Sequence, residues 1–259
     1  MLNNICVVMP TYDELENISR TLRSVLEVNP GVDVLVVDDG SPDGTGRRAD
    51  ELAHADSRIH VLHREGKAGL GPAYVAGFQW ALSHGFEVIC EMDMDGSHRA
   101  QDLRSMLDVL GRDPGIDLVI GSRRIEGGRT ENWPWYRDLL SRAGSWYARR
   151  MLGLRVRDMT AGLRAYRRDA LCRVDLRSVK ANGYVFQIDM TRRVMAAGGV
   201  VREVPIVFAE RTRGRSKMDS GIVVEAMRCV TLWGIERCLP SHAARGRGRG
   251  PADAGNVGT

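Results

Sequence analysis

No stretch of this 259-residue chain approaches the ~20 consecutive apolar residues that a membrane span requires. The chain opens without a basic segment or a small-residue cleavage site and runs directly into ICVVMP at residues 5–10, so no secretory signal is expected. Cysteine is sparse and odd in number: Cys6, Cys90, Cys172, Cys229 and Cys238 are scattered, with no CxxC and no paired histidine spacing. That argues against a disulfide framework or a zinc site and fits a reducing cytoplasm. Two nucleotide signatures are missing as well. Glycines 66, 69 and 71 run in the reverse of the GxGxxG spacing, and GxxxxGK followed by Ser or Thr occurs nowhere, against a dehydrogenase or a P-loop NTPase.

What is present points to an α/β fold. A hydrophobic share of 43% in a chain of this length is enough to bury a sizeable core. Short β-branched runs, ICVVM (5–9), VDVLVV (32–37), RIHVL (58–62), FEVICEM (86–92) and IDLVIG (116–121), alternate with amphipathic segments such as Leu15, Ile18, Leu22 and Val25. This alternation predicts a mostly parallel sheet flanked by helices. Thr11 with Glu14 reads as a capping box, and Ser41-Pro42 as the start of the next helix. REVPIVFAE (202–210) reads as a further strand and residues 218–238 as a C-terminal helix. Residues 1–240 are expected to form the domain, and the Gly/Arg-rich tail 241–259 to be disordered.

The charged residues are unevenly placed. A net charge of +4 suggests an anionic partner: nucleic acid, a phosphorylated small molecule or a membrane surface. The acids, however, collect behind strands, as Asp13 and Glu14, then Asp38 and Asp39, then Glu91, Asp93 and Asp95. In open α/β sheets ligands bind outside the carboxyl ends of the strands. Asp93 and Asp95 alternate, so in an extended segment both carboxylates can face one ion, Mg²⁺ or Mn²⁺, with substrate phosphates completing its shell. The bland alternative is an acidic turn or helix cap. Asp39 reads as a ligand contact, Asp38 as a brace and Asp43 as part of a helix start. Downstream, Arg123, Arg124, Arg137, Arg142, Arg211, Arg213, Arg215 and Lys217 form either a solvated face or a phosphate clamp. Trp133, Trp135, Tyr136, Trp146 and Tyr147 alternate with Arg137, Arg142, Arg149 and Arg150, a composition that suits a helix at a bilayer interface or one packed on the sheet.

Seven segments, VVMPTYDELENI, VLVVDDGSPDGT, GKAGLGPAY, EMDMDGSH, VIGSRR, NGYVFQIDM and ERTRGRSKM, occur in this order over residues 5 to 218. Together they resemble the dolichol- and polyprenol-phosphate mannose synthases, inverting family 2 glycosyltransferases with the Rossmann-like GT-A fold. The resemblance implies transfer of mannose from GDP-mannose to a polyprenyl monophosphate, with Mg²⁺ or Mn²⁺ as cofactor. It implies that Pro10, Tyr12, Glu14, Val37 and Asp39 hold the guanosine, and that Asp93, Met94, Asp95 and Ser97 border the metal and diphosphate, with Asp93 and Asp95 as metal ligands. Arg123, Arg137, Arg211 and Lys217 match the phosphate-handling residues, and the implied catalytic set is Asp93, Asp95, Arg123, Arg211 and Lys217. It further implies a cytoplasmic enzyme, peripheral at the cytoplasmic face of a membrane, with a separate membrane anchor protein as a partner. A polyprenyl-phosphate glucosyltransferase using UDP-glucose is the neighbouring alternative. A nucleic-acid-binding protein is disfavoured, because the RGRGRG tail lacks interleaved aromatics and the strand-end acids would repel a phosphate backbone.

Overall fold

The computed structural model describes residues 2–181, 183–210 and 220–238. Arg211, Arg213, Arg215, Lys217 and the tail 241–259 lie outside the described residues. The first half alternates as its apolar pattern predicts: β1 (Ile5–Thr11), α1 (Leu15–Val28), β2 (Val32–Asp38), α2 (Thr45–Ala55), β3 (Ile59–His63), α3 (Leu70–Ser83), β4 (Val88–Glu91), α4 (Ala100–Arg112) and β5 (Leu118–Ser122). The second half adds β6 (Arg129–Glu131), α5 (Trp135–Leu152), β7 (Arg164–Arg167), α6 (Arg168–Cys172), α7 (Gly183–Ala196), β8 (Val201–Pro205), β9 (Val207–Ala209) and α8 (Ser220–Cys238).

Seven strands form one sheet in the order β3-β2-β1-β4-β7-β5-β8, parallel throughout except for β7, which is antiparallel to both neighbours. Alternate residues of β1 divide the core. Ile5, Val7 and Met9 pack with Ile18, Leu22 and Val25 of α1 and Leu103, Met106 and Leu110 of α4. Cys6 and Val8 face Tyr74 and Phe78 of α3, Phe186 and Met190 of α7, and Ala148 of α5. Both faces are covered, which is why the central strands read as continuous apolar runs.

Register brings the acidic strand ends to one rim. Thr11 pairs with Asp38, and Val8 with Glu91, so residues 10–14, 38–43 and 91–98 emerge side by side. Because β7 runs the other way, its start at Arg164, opposite Glu91, lies at this same rim. The loop that precedes β7, residues 156–163, therefore joins the loops that follow β4 and β5.

Three local expectations are corrected. Thr11 ends a strand, its hydroxyl donating to Met9 O at 3.0 Å, and α1 starts after Glu14 without a side-chain cap bond there. Ser41 does not start α2, since its hydroxyl donates to Asp38 Oδ1 at 2.6 Å and the helix begins at Thr45. Asp43 serves both helix starts instead, accepting from the Thr45 amide at 3.0 Å and the Leu15 amide at 3.1 Å, which satisfies otherwise orphaned donors. The third correction is at 202–210. The run splits after Pro205, β8 staying on the main sheet while β9 pairs with β6 in a two-stranded sheet.

Candidate active site

At the β1–β2 end of the rim, Asp39 is 5% exposed and accepts from Arg64 Nη1 at 2.6 Å and from the Ala68 amide at 3.4 Å. Lys67 Nζ lies 4.4 Å from the centroid of the Tyr12 ring. The β3–α3 loop thus crosses the rim, holding a carboxylate beside an aromatic face. Pro10 and Glu14 are half-buried here, whereas Val37 is a fully buried core residue that offers only its backbone. Asp38 braces the turn through Ser41, as its position suggested.

The Asp93-Met94-Asp95 segment leaves β4 in a turn. Met94 is buried in the α1–α4 side of the core, and Thr21 Oγ1 donates to its carbonyl at 2.9 Å. The two carboxylates differ. Asp93 keeps a third of its side chain in solvent, while Asp95 is buried and accepts from the Ser97 amide at 3.0 Å. Tyr74 Oη reaches Asp93 Oδ1 at 3.4 Å, and His98 Nε2 stands 3.4 Å from Asp93 Oδ2. Ser97 Oγ and both ring nitrogens of His98 are buried without a hydrogen-bond partner.

Beneath this turn, Glu91 is wholly buried and accepts from Tyr166 Oη at 2.6 Å. Burial pushes its carboxyl up to about 7, while the charge of the equally buried Arg164 pulls the other way. Arg164 donates to Ala161 O, Thr191 Oγ1 and Met159 O. The loop before β7 is thereby tied to the floor of the rim.

The same loop organises the basic residues. Arg123, expected at a phosphate, is buried, its Nε and Nη2 each 2.7 Å from an oxygen of the fully buried Asp158 and its Nη2 2.9 Å from Thr160 Oγ1. Its charge is already balanced, so a phosphate there would compete with Asp158. Burial would raise the Asp158 carboxyl, but the Arg123 charge and hydrogen bonds outweigh that and hold it below the usual carboxylate range. Arg137 is more open and pairs with Glu210 at 3.1 Å. Arg124 and Arg142 are both held by Asp138.

Next to this wall, α5, α7 and α8 enclose an apolar cavity of about 290 Å³, with Trp133, Arg137, Leu140, Thr160, Tyr184 and Met227 among its lining residues. One short loop connects the regions, since Asp158 pairs with Arg123, Thr160 lines the cavity and Gly162 approaches Asp93 and His98. Asp158, Thr160 and Gly162 carried no signal of their own in the sequence, and His98, which closes the EMDMDGSH segment, was given no role there. Trp135, Leu139 and Trp146 form an exposed stripe on α5, and Val224, Met227, Leu232 and Ile235 are exposed on α8, with Trp146 and Met227 also lining the cavity. Of the α5 aromatics only Tyr147 is drawn inward, its hydroxyl 2.6 Å from Thr231 Oγ1. Among the described residues no helix is long and apolar enough to cross a membrane.

Among the described residues no three His, Cys, Asp or Glu side chains already form a metal cage. The two carboxylates with unpartnered Ser97 Oγ and His98 nevertheless fit a divalent cation whose remaining ligands come from a bound diphosphate.

Comparison with known proteins agrees with this architecture. The chain is 52% identical over 230 residues to polyprenol monophosphomannose synthase of Mycolicibacterium smegmatis, covering 88% of this chain and 86% of that protein. It is 51% identical over 231 residues to undecaprenyl-phosphate mannosyltransferase of Micrococcus luteus, covering 89% and 94%. In fold it resembles glucosyl-3-phosphoglycerate synthase of Mycobacterium tuberculosis, solved with Mn²⁺, UDP-glucose and phosphoglyceric acid, with TM-score 0.65, 21% identity, and 93% of this chain and 82% of that one covered. A family model for glycosyl transferase family 2 matches residues 6–174, and with these relatives it establishes that the chain belongs to that family.

Proposed function

We propose that this enzyme transfers mannose from GDP-mannose to a polyprenyl monophosphate, with inversion, at a membrane surface. The observation that carries the reading is the apolar cavity that Arg137 helps to line, joined by residues 158–162 to the Asp93 rim. A lipid phosphate needs such a neighbour, an apolar slot for its first prenyl units next to a cation for its head group. The mannosyltransferase relatives give the sugar and the acceptor class.

The chemistry asks little of a general base. The acceptor is a phosphate monoester whose second ionisation lies near ~6, so at neutral pH an oxygen already carries the charge to attack. That oxygen forms a bond to the anomeric carbon while the bond from that carbon to the β-phosphate of GDP breaks, and GDP departs with the electron pair. Two anions approach each other in this step. Arg137, which lines the cavity, is assigned with Arg211 and Lys217 to the acceptor phosphate and the developing charge. Asp93 and Asp95, with Ser97, would hold a divalent cation, which would supply charge neutralisation at the leaving diphosphate. Tyr12 and Asp39 take the base and ribose end, their loop fixed by Arg64. Arg123 is assigned to order the 158–162 loop through Asp158.

The exposed aromatic and aliphatic stripes of α5 and α8 support docking on a bilayer, flanked as they are by Arg142 and Arg150. Purified protein with GDP-mannose, Mg²⁺ or Mn²⁺ and a short polyprenyl phosphate in detergent should release GDP and yield an organic-phase mannosyl lipid. Turnover with UDP-glucose in place of GDP-mannose would sink the donor assignment, and failure with both donors the acceptor assignment.

A further inference from the structure

His98 is a buried histidine without a hydrogen bond. Its side chain is 1% exposed, and neither Nδ1 nor Nε2 finds a partner. A polar group left unsatisfied in the interior is costly and calls for an explanation. The ring is held in place by its surroundings, packing edge-on against Phe208 with centroids 5.2 Å apart, while the backbones of His98 and Phe208 form an isolated bridge. Held so, Nε2 stands 3.4 Å from Asp93 Oδ2, longer than the ~2.8 Å of a charge-assisted hydrogen bond. A Cβ placed on Gly162 would lie 3.4 Å from that oxygen and 3.5 Å from that nitrogen, so the gap between them is bounded on one side by bare backbone.

We propose that His98 Nε2 is a ligand of the divalent cation at this site, acting beside Asp93; the proposal rests on the metal-dependent glycosyltransferase reading above. Adjacent donors on one six-coordinate ion, each about 2.1–2.2 Å from it, stand about 3 Å apart. The observed 3.4 Å is within half an ångström of that spacing. The buried nitrogen then has a partner whenever the cation is bound. A nitrogen donor also shifts metal preference, because imidazole suits first-row transition ions whereas Mg²⁺ is served by oxygen. The site accordingly favours Mn²⁺ over Mg²⁺.

The test uses the full chain with Mn²⁺ and either GDP or UDP, without lipid or sugar. Electron spin echo modulation of the bound Mn²⁺ should show coupling to an imidazole nitrogen, changed in the expected way when histidine is labelled with ¹⁵N. In His98→Gln the coupling should vanish, and the Mn²⁺ Kd should weaken at least tenfold while the Mg²⁺ Kd moves less than threefold. Bound Mn²⁺ without nitrogen coupling in the unaltered chain overturns the proposal, and that readout does not depend on any variant folding. Equal weakening for both metals also overturns it, because His98 would then only orient Asp93. Absence of Mn²⁺ binding with both nucleotides overturns it too. Nitrogen coupling in a protein that never turns over GDP-mannose would leave the ligand standing and remove the donor assignment instead.

Discussion

Removing Asp158 tests whether the buried ion pair holds the 158–162 loop. The carboxylate is fully buried and accepts from Arg123 three times, from its amide at 2.9 Å and from Nε and Nη2 at 2.7 Å. Asp158→Ala leaves a guanidinium at 5% side-chain exposure facing no counter-charge. Breaking one side of a buried pair costs about 3–5 kcal/mol, a large share of the roughly 5–15 kcal/mol that a domain has in total. At about 2–4 °C per kcal/mol for a chain of this size, the melting temperature should fall by about 6–20 °C. Urea and thermal unfolding followed by circular dichroism read this directly. The pair Arg123→Met with Asp158→Leu should recover most of the loss, since apolar replacement of a whole buried pair is often neutral. An Asp158→Ala protein melting within about 2 °C of the parent, or a double variant no better than the single one, would refute the reasoning. Acid should act in the same direction. A carboxyl held low stabilises the fold above its unfolded value and loses that contribution as pH falls through its folded value.

Three further outcomes are expected. Gly71→Ala places a Cβ 2.0 Å from the Ala181 carbonyl oxygen, a clash with backbone that should cost about 2 kcal/mol or more, and an unchanged urea midpoint would contradict the packing of α3 against that loop. Glu91 is raised on folding from 4.5 to about 7, so the native state holds more protons between those values and stability should drop as pH rises across them, by about 3 kcal/mol at most. Glu91→Gln should lack this slope, and parallel curves for the two proteins from pH 5 to 7.5 would show that burial does not set the carboxyl. Trp135→Ser with Trp146→Ser should cut flotation with anionic vesicles at least tenfold, since each large apolar side chain that leaves water contributes about 1.5–3 kcal/mol, and undiminished flotation would remove α5 from the interface.

The first half of the fold was legible because both faces of its strands are buried. Residues 5–9 and 32–37 read as apolar runs, and the amphipathic spacing of α1 separates them. The helix starts were not legible at the same resolution. Thr11 and Ser41 have the chemistry of caps, but each is committed elsewhere, Thr11 to its own strand and Ser41 to Asp38. Asp43, read only as one helix start, serves α1 as well, through a contact 28 residues distant in sequence.

What hid from the sequence was β7 and the loop in front of it. RAYR begins and ends in arginine, so a search for apolar alternation passes over it, although Arg164 is buried outright and satisfied by two carbonyls and a threonine hydroxyl. The same omission concealed the loop. Looking for ligands after the carboxyl ends of parallel strands finds residues 10–14, 38–43 and 91–98, but an antiparallel strand brings to that rim the residues before it. One reversed strand between β4 and β5 thus places Asp158, Thr160 and Gly162 between the acidic rim and the apolar cavity. The acidic rim is joined to the apolar cavity by that single reversal, through the one strand whose sequence looks least like a strand.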